Sequence, residues 1–88
     1  MNISEVQISF IKPKDGLIAF ASLVVDKSIY LGSIGIHKKL HVSGYRITYP
    51  TSSKNFNIFH PITKEAGEAI QAAIFAKLEE IEGGNEWQ

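Results

Sequence analysis

The fold is decided by residues Leu17–Val25, whose sequence is LIAFASLVV and whose one polar residue is Ser22. A strand that is apolar on both faces is typical of the interior of a sheet. The preceding residues 13–16, PKDG, have turn chemistry, and a second tight connection begins at Asp26. We therefore expect Leu17–Val25 to be a central strand in a meander of antiparallel strands.

Neighbouring strands are predicted on either side of this stretch. Val6, Ile8 and Phe10 alternate with polar residues, which is typical of a half-buried strand. Residues 29–36 form the next strand, in which Gly32 and Gly35 indicate a bulge or a close backbone approach. The chain should therefore form three consecutive strands before its first basic turn.

A fourth strand is predicted over roughly residues 41–49, ending before Pro50. Strand alternation places Tyr45, Ile47 and Tyr49 on one face, which we expect to be the core face. A polar loop follows, and a short returning strand is predicted after it at Phe56, Ile58 and Phe59. The sheet should therefore have four to five strands.

The last third of the chain predicts one amphipathic helix. Thr63 is a good N-cap, and Gly83 with Gly84 indicates the helix end. The apolar stripe has helical spacing and consists of Ala66, Ile70, Ala73, Ile74, Leu78 and Ile81. These elements predict an α+β fold in which an antiparallel meander is followed by a C-terminal helix packed on the sheet. We expect one domain over residues 1–84 and a loose acidic tail over residues 85–88.

Two helix residues depart from this pattern. Lys77 falls near the middle of the apolar stripe, and Phe75 points almost directly away from it. Lys77 could snorkel past the sheet edge while Phe75 is a scattered exposed apolar residue. Alternatively, Phe75 contacts a partner chain.

The composition sets broad limits on function. The 88 residues include no cysteine, which excludes disulfides and thiolate metal sites. The first residues lack the basic start and apolar run of a signal peptide, and no apolar run could span a bilayer. We expect a soluble cytoplasmic protein.

Charge is distributed unevenly along a chain whose formal net charge is zero. No acidic residue occurs over positions 27–64, whereas the basic residues there are Lys27, Lys38, Lys39, Arg46, Lys54 and Lys64. Residues 1–63 have a balance of +4 and residues 64–88 a balance of −4. An anionic partner should meet the first part of the chain and be repelled by the second.

Catalytic and metal chemistry find no support in the sequence. No phosphate loop, nucleophile elbow, dinucleotide motif or pair of carboxylates placed for acid–base work is present. His37 and His41 are four residues apart, but they flank a predicted turn and have no carboxylate or thiolate nearby. We predict no enzyme activity, no cofactor, no metal and no small-molecule substrate.

The basic segment allows two interpretations. Its lysines could be ordinary solvated charges, or they could contact phosphates together with neighbouring hydroxyl groups. Tyr45 and Tyr49 are weaker candidates for stacking on bases, because both are expected in the core. An interaction module that recruits another protein through a sheet edge or the exposed helix face is the alternative function.

Two segments resemble the septation protein SpoVG family: YPTSSK at residues 49–54, and FHPIT at residues 59–63 followed by the helix. The opening ISEVQI at residues 3–8, the turn at Asp15 and Gly16, and the strand IAFAS at residues 18–22 fit the same pattern. The resemblance covers about residues 2–82 and rests on the order and spacing of these segments.

The resemblance implies a homodimer formed by joining sheets, site-specific DNA binding, RNA binding in some members, and regulation linked to sporulation, cell division or virulence. The positions that match the family's basic segment are Ser52, Ser53 and Lys54. The family usually has adjacent basic residues there, where this chain has one lysine.

We therefore predict a cytoplasmic, dimeric, nucleic-acid-binding regulator without membrane contact. The predicted nucleic-acid-binding residues are Lys38, Lys39, Arg46, Ser52, Ser53 and Lys54. The dimer is expected from the small size of the chain, its open sheet edges and Phe75.

Overall fold

The computed structural model describes residues 1–85, with side chains through residue 82. Within that range the elements are β1 (Ile3–Lys14), β2 (Leu17–Val25), β3 (Ile29–Lys38), β4 (Tyr45–Thr48) and α1 (Lys64–Asn85). The four strands are hydrogen-bonded in chain order, and each neighbouring pair is antiparallel. The predicted α+β meander with a C-terminal helix packed on the sheet is confirmed.

The hydrophobic core lies between α1 and one face of the sheet. Its buried residues are Ala19, Ala21, Leu23 and Val25 of β2, Ile34 and Ile36 of β3, and Ile70, Ile74 and Leu78 of α1. Burying one aliphatic side chain of this size contributes about 1.5–3 kcal/mol. The central position predicted for β2 is confirmed, since β2 supplies every second residue to this core.

The other face of β2 is not covered by the helix. Phe20 is exposed, and Ser22 and Val24 are only partly buried. One helix packs on one side of the sheet, so the apolar residues on the second side of β2 stay near solvent. We call this helix-free side of the sheet the open face.

Residues with positive φ close the first two hairpins. Asp15 (φ 52°) and Gly16 (φ 92°) connect β1 to β2, and Asp26 (φ 51°) and Lys27 (φ 53°) connect β2 to β3. Positive φ at successive turn residues matches the right-handed twist of the flanking strands. Asp26 also exchanges two hydrogen bonds with Asn2, through the Asn2 amide to Oδ1 (2.8 Å) and the Asp26 amide to the Asn2 carbonyl (2.7 Å). The first predicted turn and the tight second connection are confirmed.

Two bulges keep the apolar side chains directed at the helix. In β1 the register with β2 shifts between Ser4 and Gln7, where Glu5 has φ 51°. In β3 the register shifts opposite residues 21–23 of β2, where Ser33 has φ 59°. A bulge adds one residue and thereby restores the inward orientation of the residues beyond it. The bulge predicted from the glycines of the third strand is confirmed.

Several predicted boundaries differ from the structure. β4 begins at Tyr45 because residues 39–44 form a loop, closed by the Lys39 amide donating to the Gly44 carbonyl at 3.0 Å. The expected returning strand is reduced to a single bridge between Thr51 and Asn57.

The helix continues through the two glycines that were expected to end it and ends at Asn85. It therefore includes the first residue of the predicted tail, and residues 86–88 of that tail lie outside the described part of the chain. No helix in the described part combines the length and apolar character needed to cross a membrane.

The two unusual helix residues are both accommodated within the protomer. Phe75 is half-buried and packs against the core, with its ring centroid 6.5 Å from that of Tyr45. Lys77 keeps a side chain that is 35% exposed and extends to Glu80 at 3.5 Å. The prediction that Phe75 lies away from the sheet is wrong, because the Tyr45 ring reaches the flank of α1. Lys77 extends outward as the first interpretation expected.

Candidate nucleic-acid interface

Three of the six predicted binding residues line one cleft at the turn between β3 and β4. This cleft has a volume of about 350 Å³ and is lined by Asp15, Gly16, His37, Lys38, Lys39, Leu40, His41, Val42 and Arg46. We call it the basic cleft. Lys38, Lys39 and Arg46 therefore line one cleft at the end of the sheet, although eight positions separate the first of them from the last.

Backbone hydrogen bonds fix the position of the basic cleft. The Lys38 amide donates to the Gly16 carbonyl at 2.8 Å, which ties the end of β3 to the first turn. Arg46 is the cross-strand partner of His37, and Lys38 is the partner of Tyr45. Because partners in a sheet project to the same side, Arg46 lies beside His37 on the open face.

His37 acts as a structural part of this cleft. Its Nε2 lies 2.9 Å from Oγ1 of Thr48, and its Nδ1 is buried without a hydrogen-bond partner. Burial, and then the positive charge of Arg46, hold the pKa of His37 below its ordinary value of 6.5. At neutral pH the imidazole is therefore mainly uncharged, and the positive charge of the cleft comes from its lysines and arginine.

These basic side chains have no carboxylate partner among the described residues. The ion pairs found within residues 1–82 are both on α1 and join Lys64 to Glu68 (3.8 Å) and Lys77 to Glu80 (3.5 Å). Asp15 is the acidic residue that lines the basic cleft. The cleft thus retains a net positive charge that an external anion could neutralise.

The other three predicted residues lie apart from the basic cleft. Ser52, Ser53 and Lys54 form the hairpin after β4, whereas Arg46 is near the start of that strand. The Ser52 hydroxyl oxygen accepts hydrogen bonds from the amides of Lys54 (3.3 Å) and Phe56 (3.2 Å). Ser52 therefore shapes the hairpin, and the exposed Ser53 and Lys54 are its groups available to a ligand.

The acidic end of α1 lies close to the basic cleft. A second cleft of about 420 Å³ is lined by Lys39, Gly44, Tyr45, Gln71, Phe75, Leu78, Glu79 and Glu82. Tyr45 connects the two regions, because its hydroxyl donates to Oε1 of Glu82 at 2.6 Å. The predicted repulsion of anions by the C-terminal region would therefore act directly beside Lys39.

The sequence indicated that His37 and His41 flank the Lys38–Lys39 turn, but the prediction weighed them as metal ligands and did not assign them to the binding surface. Within the described residues, no three His, Asp or Glu side chains are placed to share a metal ion.

Comparisons with protein-family models, curated proteins and solved structures give no match for this chain. The similarity to the SpoVG family therefore rests on the sequence segments quoted above, and membership in that family stays a prediction.

Proposed function

We propose that this protein is a dimeric nucleic-acid-binding regulator without catalytic activity, of the SpoVG type and located in the cytoplasm. The observation that supports it best is the convergence of Lys38, Lys39 and Arg46 on one cleft without carboxylate partners among the described residues. On the SpoVG resemblance, its role would be regulation linked to septation or sporulation.

The chemistry of the basic cleft suits a phosphate backbone. Lysine and arginine supply the charge-assisted contacts that position proteins on nucleic acids, and backbone contacts dominate the affinity. Lys54 lies apart from the basic cleft, in the hairpin beyond β4, with Ser53 beside it as a hydroxyl donor. Two separated basic groups could contact different phosphates of one nucleic-acid strand.

A dimer would double this surface. β1 and β4 are the two end strands of the sheet within the described chain, and β1 extends over 12 residues. An edge of that length leaves backbone groups that a second copy could pair with. Sedimentation that shows a monomer at high protein concentration would refute the dimer.

The decisive test of the binding site is a salt titration with short duplex DNA. The double variant K38A/K39A should bind more weakly, and its log–log salt slope should be shallower by about 1.8 if both lysines neutralise a phosphate. The matched control K64A/K77A removes two lysines that are already paired with glutamates on α1 and should leave the slope unchanged. An unaltered slope in K38A/K39A would exclude the basic cleft as the phosphate site.

A second candidate function is supported by an apolar cleft elsewhere in the protomer. Its volume is about 210 Å³, and its lining is Met1, Val25, Ile29, Leu31, Phe59, His60, Pro61, Ala66 and Ile70. Ile29 is exposed at its rim, and such exposed apolar surface often marks a protein contact. A gel-shift panel of duplex DNA, single-stranded DNA and RNA separates the two functions. No binding at micromolar protein would favour an interaction module.

A further inference from the structure

The open face of the sheet has two exposed aromatic side chains. Phe20 of β2 is 39% exposed and Tyr30 of β3 is 70% exposed. The register places both on this face, because Phe20 pairs with Ser9 and Gly35, and Tyr30 pairs with Val24. Neither ring belongs to the core that α1 covers.

The absence of a side chain at Gly32 leaves room for the Tyr30 ring to lie against the sheet. A methyl group on Gly32 would lie 2.9 Å from Cε2 and 3.2 Å from the hydroxyl oxygen of Tyr30. The tyrosine ring therefore lies over the Gly32 backbone, a position that a larger residue would obstruct. An aromatic ring held on a sheet with its outer side free is suited to stacking on another flat ring.

Hydrogen-bonding side chains surround the two rings. A shallow cleft of about 270 Å³ on the open face is lined by Gln7, Ser9, Phe20, Ala21, Ser22, Tyr30 and Ser33. The bulge at Ser33 brings its hydroxyl to this cleft. Amide and hydroxyl groups can donate to and accept from the edges of nucleobases.

The charge of the open face also favours an anionic ligand. The positions that the register assigns to it are Ser4, Gln7, Ser9, Lys14, Leu17, Phe20, Ser22, Val24, Tyr30, Gly35, His37, Arg46 and Thr48. None of these is acidic. Arg46 and His37 also line the basic cleft, so the aromatic surface and the phosphate-binding surface are continuous.

We propose that the open face binds single-stranded nucleic acid, with bases stacked on Phe20 and Tyr30 and the backbone directed toward Arg46. The inference rests on the proposed function and specifies its ligand. Stacking on sheet aromatics requires bases with a free face, which a closed duplex does not offer.

The spacing of the rings determines how many bases they hold. Phe20 and Val24 are four residues apart on β2, about 13 Å at the rise of a strand, and Val24 is the partner of Tyr30. This distance separates backbone positions, whereas the Tyr30 ring extends over Gly32 toward Phe20 and both rings line the same cleft. The open face should therefore hold one or two neighbouring bases of one strand.

The test measures fluorescence anisotropy with labelled single-stranded DNA and RNA 12-mers of the same sequence. F20A and Y30A should each weaken binding by about five- to 150-fold, the effect of losing one stacked base. F20Y and Y30F keep a ring and should bind within about twofold of the wild type. I62A, which removes a side chain that is 88% exposed outside the open face, is the matched control and should bind normally.

G32A gives a second, independent test. It leaves Tyr30 in place but displaces the ring, so it should weaken single-strand binding in the same direction as Y30A. Thermal unfolding of each variant verifies that the protein is folded. We expect the variants of Tyr30 to stay folded, because the Tyr30 side chain is exposed.

The outcomes separate this inference from the proposed function. If F20A and Y30A bind single strands normally while K38A/K39A binds them weakly, the open face is excluded and the basic cleft stands. If the wild type binds neither single strands nor duplex, both are overturned. If Y30A alters the sedimentation coefficient of the free protein and not its affinity for oligonucleotides, the open face is a contact between copies and the inference fails.

Discussion

The Tyr45 hydroxyl donates a hydrogen bond to Oε1 of Glu82, with 2.6 Å between the oxygens, and thereby joins the strand that contains Arg46 to the acidic end of α1. This hydrogen bond, then burial, then the negative charge of Glu82 raise the pKa of Tyr45 above its ordinary value. The ring of Tyr45 also packs on Phe75, about two turns before Glu82 on the helix. The position of Glu82 beside the basic cleft is therefore fixed by its hydrogen bond to Tyr45 and by the packing of the Tyr45 ring on α1.

Removing the charge of Glu82 should strengthen nucleic-acid binding. Gln in E82Q can still accept the Tyr45 hydrogen bond, so the fold should be kept while one negative charge is lost. A unit charge about 10 Å from a phosphate changes the energy by about 0.4 kcal/mol in water, which is a factor of about two in affinity. Anisotropy titrations at low salt measure the change, which should fade as salt is added.

E68Q is the matched control for this prediction. Glu68 is near the other end of α1, where it pairs with Lys64, so its neutralisation should have a smaller effect on binding. Equal gains from E82Q and E68Q would mean that only net charge matters and that the acidic end of the helix has no special position.

The Tyr45 hydrogen bond should also contribute to stability. We expect Y45F to lower the free energy of unfolding by about 0.5–1 kcal/mol, the usual effect of losing one hydrogen bond. A phenol whose pKa is raised by folding contributes stability below its unfolded pKa, near 10, and loses it as pH rises through the folded value. Urea unfolding at pH 8 and at pH 11 should therefore show a smaller loss of stability in Y45F than in the wild type.

Tyr49 provides an internal reference, because burial raises its pKa as well. The contribution of Tyr49 to the pH dependence of stability is the same in Y45F and in the wild type. If Y45F and the wild type lose the same stability between the two pH values, the hydrogen bond to Glu82 does not persist in solution.

Local patterns were sufficient to predict most of the fold. The alternation of Val6, Ile8 and Phe10 and the turn residues Asp15 and Gly16 act over a few positions, so the sequence alone indicates the strands and their connections. The left-handed bulge at Glu5 has no such signal, because a non-glycine residue rarely adopts positive φ and does so here through its tertiary surroundings.

The candidate site was predictable only in part. Lys38, Lys39 and Arg46 follow from their charge and position, but the rotation of α1 about its axis determines that Phe75 meets Tyr45 and that Glu82 lies beside the cleft. The apolar stripe predicts which face of α1 meets the sheet, but it does not place Phe75 and Glu82, which lie on the flank of that face. The apolar stretch of β2 likewise gave no sign that only one of its faces would be covered, since that depends on the number of packing layers.

Gly35 should be intolerant of any side chain. A methyl group there would lie 2.5 Å from Oγ1 of Thr48 and 3.2 Å from Nε2 of His37. G35A should therefore cost about 1–3 kcal/mol, as is common when a packed site is overfilled. For a domain of this size the melting temperature should fall by about 4–8 °C for each kcal/mol.

A double variant identifies the cause of this cost. T48A removes the obstructing oxygen and alone should cost about 0.5–1.5 kcal/mol through the lost hydrogen bond to His37. The double variant G35A/T48A should be more stable than the sum of the two single changes predicts, with a coupling of about 1 kcal/mol. Strict additivity would show that Thr48 does not limit the space at Gly35.

His37 should make stability depend on pH in the acidic range. Its folded pKa lies below the unfolded value of 6.5, so below that value the unfolded chain binds more protons than the folded one. The imidazole therefore contributes its full stability above pH 6.5, and this contribution is lost as pH falls through the folded pKa. Melting temperatures measured from pH 7.5 to pH 5 should decline in the wild type.

In H37Q that decline should be shallower, because glutamine can still pair with Thr48 but does not titrate. The groups beside His37 are Arg46 and Thr48 on β4, and Asp15 lines the same basic cleft. H41Q removes a second histidine from the same cleft and is the matched control. R46Q should also reduce the decline, because it removes the positive charge that opposes protonation of His37. If H41Q flattens the profile and H37Q does not, the pH dependence arises from the exposed loop rather than from the buried imidazole.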